Sequence, residues 1–239
     1  LEISVPLARL VASLVISGLA LLLLGVALSF TPARAATGPA PRDNGRDYDT
    51  STYRYTDKPA PAALSAGTRT LTVYVDRDFG PAERERIGLA LQQWNHVLNG
   101  LVRFRTSLLP PDPSDQTLAQ IRRSGAWIVA KVDSRHPAAR ERTALAMTVG
   151  GRGGGFVYVI ADRFGTRDLT AVMLHELGHV LGAGHDPHGH LMAPVYDRSN
   201  GHCIDRGAVA MVASAQHLPV SQLNWCVGPG LDEGRTSSR

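Results

Sequence analysis

Polar and apolar residues alternate along Thr70-Leu71-Thr72-Val73-Tyr74-Val75-Asp76, the period of a strand with one buried face. The period changes after Gly80-Pro81. Ile87, Leu91, Trp94 and Leu98 then recur at helical spacing, with Pro81 at an early position and Glu83 and Glu85 in the first turn. Trp94 on that stripe reads as a core residue. Asn99-Gly100 closes the helix, and Val102-Arg103-Phe104-Arg105 resumes the strand pattern. Leu109-Pro110-Pro111-Asp112-Pro113 opens a stretch that reads as a loop reaching Gln120. Ala126 to Val132 and Phe156 to Ile160 are further strands, and the glycines from Gly150 to Gly155 read as a mobile turn. Leu169 to Leu181 forms a mostly apolar helical run, with Thr166 or Asp168 as its cap. A third helix is expected from Asp205 to Ser214, carrying Ala208, Val209 and Met211.

The ends of the chain have a different texture. Residues 10–30 are nearly all apolar, and Ala33-Arg34-Ala35 after them fits a signal-peptidase site. The run is also long enough to span a bilayer. Residues 1–35 are therefore a signal peptide or a retained membrane anchor, and in both cases the rest is exported. Residues 36–68, rich in Pro, Ala and Gly, read as a linker or short pro-segment. The folded domain is expected over 69–228 and a polar tail over 229–239.

Charge argues against a nucleic-acid partner. The formal net charge is +4, it falls when Arg9 and Arg34 leave with residues 1–35, and the arginines are scattered rather than striped. Cys203 and Cys226 are the two cysteines. An even count in an exported chain points to one disulfide, with two separate buried thiols as the alternative.

The chemistry concentrates in His175-Glu176-Leu177-Gly178-His179-Val180-Leu181-Gly182-Ala183-Gly184-His185. Histidines four apart share one helical face, and Glu176 beside the first can serve a water on a metal that both imidazoles hold. Gly182 lets the helix stop and the chain turn, so that His185 can return as a third nitrogen ligand. Leu191-Met192-Ala193-Pro194-Val195-Tyr196 follows shortly after. His136, His188 and His190 read as solvated loop histidines rather than ligands of a second metal.

This stretch resembles the metzincin zinc endopeptidases, and among them the matrixin catalytic domain, most closely over residues 167–212. The resemblance implies an α+β fold: a twisted, mostly parallel sheet with one antiparallel edge strand, and three helices. It implies one catalytic Zn2+ on His175, His179 and His185, Glu176 as general base, and Met192 as the methionine of the turn beneath the metal. Pro194 and Tyr196 match the wall of the substrate pocket. Leu145, Ala146 and Met147 match the edge strand along which an extended peptide lies. The matrixin ligands for structural calcium and a second zinc have no counterparts among the glycines at 150–155, so neither ion is expected. A protein or peptide substrate, a monomer and a secreted or membrane-anchored location follow from this reading. An exported metal-binding or adhesion module with little turnover is the alternative.

Overall fold

A computed structural model describes residues 53–61, 68–151, 153–196 and 202–228. The expectations for the signal segment or anchor, for most of the linker and for the polar tail lie outside these residues. No helix among the described residues is long and apolar enough to cross a membrane.

The sheet and its helices follow the order read from the pattern, with one addition. After a two-residue strand, β1 (Arg54–Tyr55), come β2 (Arg69–Val75), α1 (Pro81–Val97) and β3 (Val102–Leu108). Next are α2 (Asp115–Arg123), β4 (Trp127–Val132), β5 (Ala146–Gly151) and β6 (Gly154–Ile160). The chain finishes with α3 (Leu169–Val180), α4 (Arg206–Gln216) and β7 (Cys226–Val227). Five strands lie in the order β3-β2-β4-β6-β5. The pairs β2–β3, β2–β4 and β4–β6 are parallel, and β5–β6 is antiparallel. The expected antiparallel edge strand is therefore β5.

Helix α2 corrects the loop expected up to Gln120, and brings the helices among the described residues to four. Ser114 caps it by accepting from the Thr117 amide at 3.2 Å, and no residue in it is buried. The only apolar residues on its half-buried face are Leu118, Ala119 and Ile121, too short a stripe to stand out from the polar residues around it.

The core lies between the sheet and the pair α1–α3. Ile87, Ala90, Leu91, Trp94 and Val97 of α1 are buried against it. Trp94 is fully buried, and its indole Nε1 donates to the Leu174 carbonyl at 2.9 Å, which fastens α1 to the middle of α3. Asp168 is the cap of α3, accepting from the Thr170 amide at 2.7 Å. Arg86 reaches across from α1 to the same carboxylate at 3.0 Å.

The glycines lie where β5 turns into β6, and Gly150, Gly154 and Gly155 are tightly packed, whereas a Cβ on Gly151 or Gly153 would meet nothing within 4 Å. A Cβ on Gly150 or Gly155 would stand within 3.0 Å of both the backbone across the hairpin and the ring of Trp127. A Cβ on Gly154 would collide with the Ala126 carbonyl oxygen. Glycine is required because the indole of Trp127 lies across the ladder.

Part of the expected linker belongs to the folded unit. β1 pairs antiparallel with β7, Tyr55 opposite Cys226. The Tyr55 hydroxyl donates to Gln93 at 3.0 Å and accepts from the Ile204 amide at 3.1 Å. Buried Asn224 accepts from the Lys58 amide at 2.8 Å and donates to the His96 carbonyl at 3.0 Å. The Lys58 ammonium sits 3.7 Å over the Trp225 ring. Residues 53–61 thus form a strap across the C-terminal segment. Cys203 and Cys226 are bonded to each other, as expected.

Candidate active site

Helix α3 is buried along most of its length, as its unbroken apolar run requires. His175 and His179 project from it one turn apart. The helix stops at Gly182, which takes φ +92°, open to glycine at little cost. The Ala183 amide then donates to the Gly178 carbonyl at 2.9 Å, and the chain swings back with His185.

The three Nε2 atoms converge. They are 3.1 Å apart for His175–His179, 3.2 Å for His179–His185 and 3.3 Å for His175–His185. These contacts are not a ring of hydrogen bonds. His175 Nδ1 lies 2.7 Å from the Leu191 carbonyl oxygen, and His179 Nδ1 lies 2.8 Å from that of Ala183. A carbonyl only accepts, so both protons sit on Nδ1 and both Nε2 atoms face each other with bare lone pairs. Burial, reinforced by His179 and His185 and opposed by the Leu191 hydrogen bond, pushes His175 from 6.5 to about 3. Burial and then His179 push His185 to about 4. These two imidazoles are neutral at neutral pH, the form that binds metal.

Bare lone pairs at such distances repel unless a cation sits between them. Tetrahedral zinc at about 2.0–2.1 Å from each nitrogen requires spacings of about 3.3–3.4 Å, close to those present. The residues fit the metal. Among the described residues, this is the only group of three His, Cys, Asp or Glu side chains near enough to share an ion. His136 instead caps a short turn, taking the Ala138 amide on Nδ1 at 3.1 Å, and stacks near Tyr158.

Glu176 is 6% exposed. Burial raises its pKa, against lowering by His179 and by the bonds from Thr148. Thr148 Oγ1 lies 2.6 Å from Glu176 Oε2. Sequence reasoning named Leu145, Ala146 and Met147 on the edge strand and gave Thr148 no role. Its inward side on an alternating strand carried the signal.

The turn after the histidines holds the site from below. Met192 is fully buried. The Leu191 carbonyl sets the proton on His175, and the Met192 carbonyl accepts from the Asp186 amide at 2.8 Å, fixing the return loop. Buried Asp205 ties this turn to α4: Oδ2 accepts from the Leu191 amide at 2.9 Å while Oδ1 caps the helix at Ala208.

The residues expected around a substrate are placed unevenly. Ala146 is buried and Leu145 packs on the core. Met147 alternates with Ala146 and Thr148, so its side chain lies on the opposite face and only its backbone borders the cleft. Pro194 and Tyr196 are half-buried, and the Tyr196 hydroxyl accepts from the Asp168 amide at 3.2 Å.

The family model described as Matrixin, a peptidase family, matches residues 80–210. The chain belongs to the matrixin family. No curated protein matches it. Among solved structures it is similar to metalloproteinase-II from Bacteroides fragilis, at 13% identity and a TM-score of 0.44. That match covers 67% of this chain and 56% of the other, so the chain spans little more than half the length of that protein.

Proposed function

We propose that this chain is a zinc-dependent endopeptidase. One observation carries the proposal: three imidazole Nε2 atoms converge at tetrahedral spacing, two of them stripped of their proton by an Nδ1–carbonyl bond, with the Glu176 carboxylate on the adjoining helical position. His175, His179 and His185 hold the ion. A zinc ion held there would supply Lewis acidity toward the scissile carbonyl and the attacking water. Glu176 takes the proton from the attacking water and delivers it to the leaving amine. Met192 packs beneath the ligands and does not coordinate. The peptide lies extended along the outer edge of β5, which pairs only with β6 among the described residues, and borrows its free backbone groups. Pro194 and Tyr196 wall the pocket beyond the scissile bond.

The working unit is a monomer running from the strap at residue 53 to residue 228. It acts outside the cytoplasm, secreted or held by residues 10–30, where the Cys203–Cys226 bond is stable.

Metal analysis and cleavage of a diverse peptide library test the reading. Glu176→Gln should keep the zinc and lose about 10²- to 10⁴-fold in turnover. His185→Ala should lose the zinc. A Glu176→Gln protein of full activity rejects the mechanism. A zinc-loaded wild type that cleaves no peptide favours a metal-binding module instead.

A further inference from the structure

The Glu176 carboxylate has two oxygens with unlike surroundings. Oε2 is held at 2.6 Å by the Thr148 hydroxyl. The same hydroxyl lies 3.3 Å from the Glu176 carbonyl oxygen, a longer and poorer contact. One hydroxyl has one proton, and the short bond to the carboxylate takes it. The Thr148 amide bonds the same carboxylate, and no other side chain among the described residues does, so Thr148 holds it through both its hydroxyl and its backbone. Thr148 is 9% exposed and sits on β5, two residues beyond Ala146, while Glu176 is on α3. The bond therefore joins the edge strand to the active-site helix.

We propose that Thr148 is a positioning residue for the general base. Its hydroxyl holds Oε2 and, together with its amide, fixes the rotamer of the carboxylate that handles the proton. Because Thr148 belongs to the strand that borders the substrate, the substrate and the base are aligned from one short piece of backbone. A valine of the same shape at this position fills the space but takes away the bond to Oε2, leaving the carboxylate to the amide alone. The role rests on the peptidase reading, so one of its tests does not depend on turnover.

The kinetic test uses Thr148→Val and Thr148→Ser in the zinc-loaded protein. Thr148→Val should lower kcat by about 10- to 100-fold, the usual range when a partner that orients an active-site group is lost. KM and zinc content should change little, because β5 and the histidines are intact. Thr148→Ser should recover most of the rate. Full activity in Thr148→Val with a defect in Thr148→Ser overturns the proposal, since only the methyl would then matter.

The second test reads Tm in metal-free protein. In the wild-type background Thr148→Val should lower Tm, by removing a hydrogen bond from a buried carboxylate. In a Glu176→Ala background the same change should raise Tm, because it removes a hydroxyl whose partner is already gone. Equal shifts in both backgrounds overturn the bond itself. If the wild type cleaves no peptide while the sign reversal is present, the peptidase reading fails and the contact stands.

Discussion

A Cβ on Gly178 would stand 2.5 Å from Sδ of Met192. The glycine between the two helical histidines is thus the surface against which the methionine beneath the metal is seated. Neither can change size without moving the other. Gly178→Ala should cost about 1–3 kcal/mol as an overpacked core site, although alanine is the better helix former. Thermal unfolding of the metal-free protein reads this directly. Adding Met192→Ala should return part of the loss, and two losses that simply add would mean the residues are not in contact.

Stability of the metal-free protein should fall on both sides of a plateau. His175 and His185 are lowered from 6.5 to about 3 and about 4. Below pH 6.5 the unfolded chain therefore takes up protons that the folded chain refuses, and stability is lost as pH drops toward those values. Glu176 works the other way. Burial raises it, so its own contribution shrinks as pH rises through 4.5. Two histidines against one carboxylate leave a net loss in acid. On the alkaline side burial pushes Tyr55 from 10.0 to about 12. The folded chain keeps a proton that the unfolded chain releases, so that contribution is full below pH 10 and lost between 10 and 12. Urea unfolding in chelator from pH 4 to 11 checks both limbs, and a flat profile between pH 4 and 7 contradicts the histidine assignment.

Cys203 and Cys226 are separated by 23 positions. Closing a loop of that length restrains the unfolded chain by about 3 kcal/mol in the chain-entropy picture. The double variant Cys203→Ser/Cys226→Ser should lose about that much in denaturant titration, with zinc still bound, because neither residue is a ligand. A loss of zinc would place the bond in support of the metal site.

Removing the strap should also be costly. A chain beginning at Arg69 lacks the Tyr55 bonds to Gln93 and Ile204 and leaves Asn224 without the Lys58 amide. Asn224 is 1% exposed with the strap in place. Such a chain should melt well below one beginning at Tyr53, and equal melting temperatures would return residues 53–61 to the status of a linker.

The sequence made some of these features legible and hid others, for physical reasons. The ligand set was legible because two histidines stand one turn apart, a glycine permits the reversal, and a third histidine lies just beyond it. Strands β2, β4 and β6 announced themselves by alternation or unbroken apolar runs. Helix α2 did not, since none of its residues is buried. The glycines at 150–155 looked loose because their composition does not reveal Trp127, which arrives from a neighbouring strand. Thr148 was hidden for the same reason, its partner lying 28 positions away. The strap was masked by prolines, and its bonds to Ile204 and Asn224 reach more than 140 positions ahead. Local pattern reports the element and the face. Contacts made across the fold are reported only when a motif already encodes them.

The antiparallel pairing of Arg54–Tyr55 with Cys226–Val227 sets the way into this domain beside the way out. Whatever flanks the domain on either side leaves from one pole, and tension between the two flanks would load these strands end-on, peeling one pair at a time. The two sides do not yield alike. Cys226 is welded through Cys203 to the start of α4, so force on the C-terminal flank stops at a covalent knot. The N-terminal flank is held without a covalent tie, by hydrogen bonds, a cation on an indole and the packing of Tyr55 on the core. Traction on this molecule has a preferred direction of failure: the strap lifts first, and the metal-bearing half is reached last.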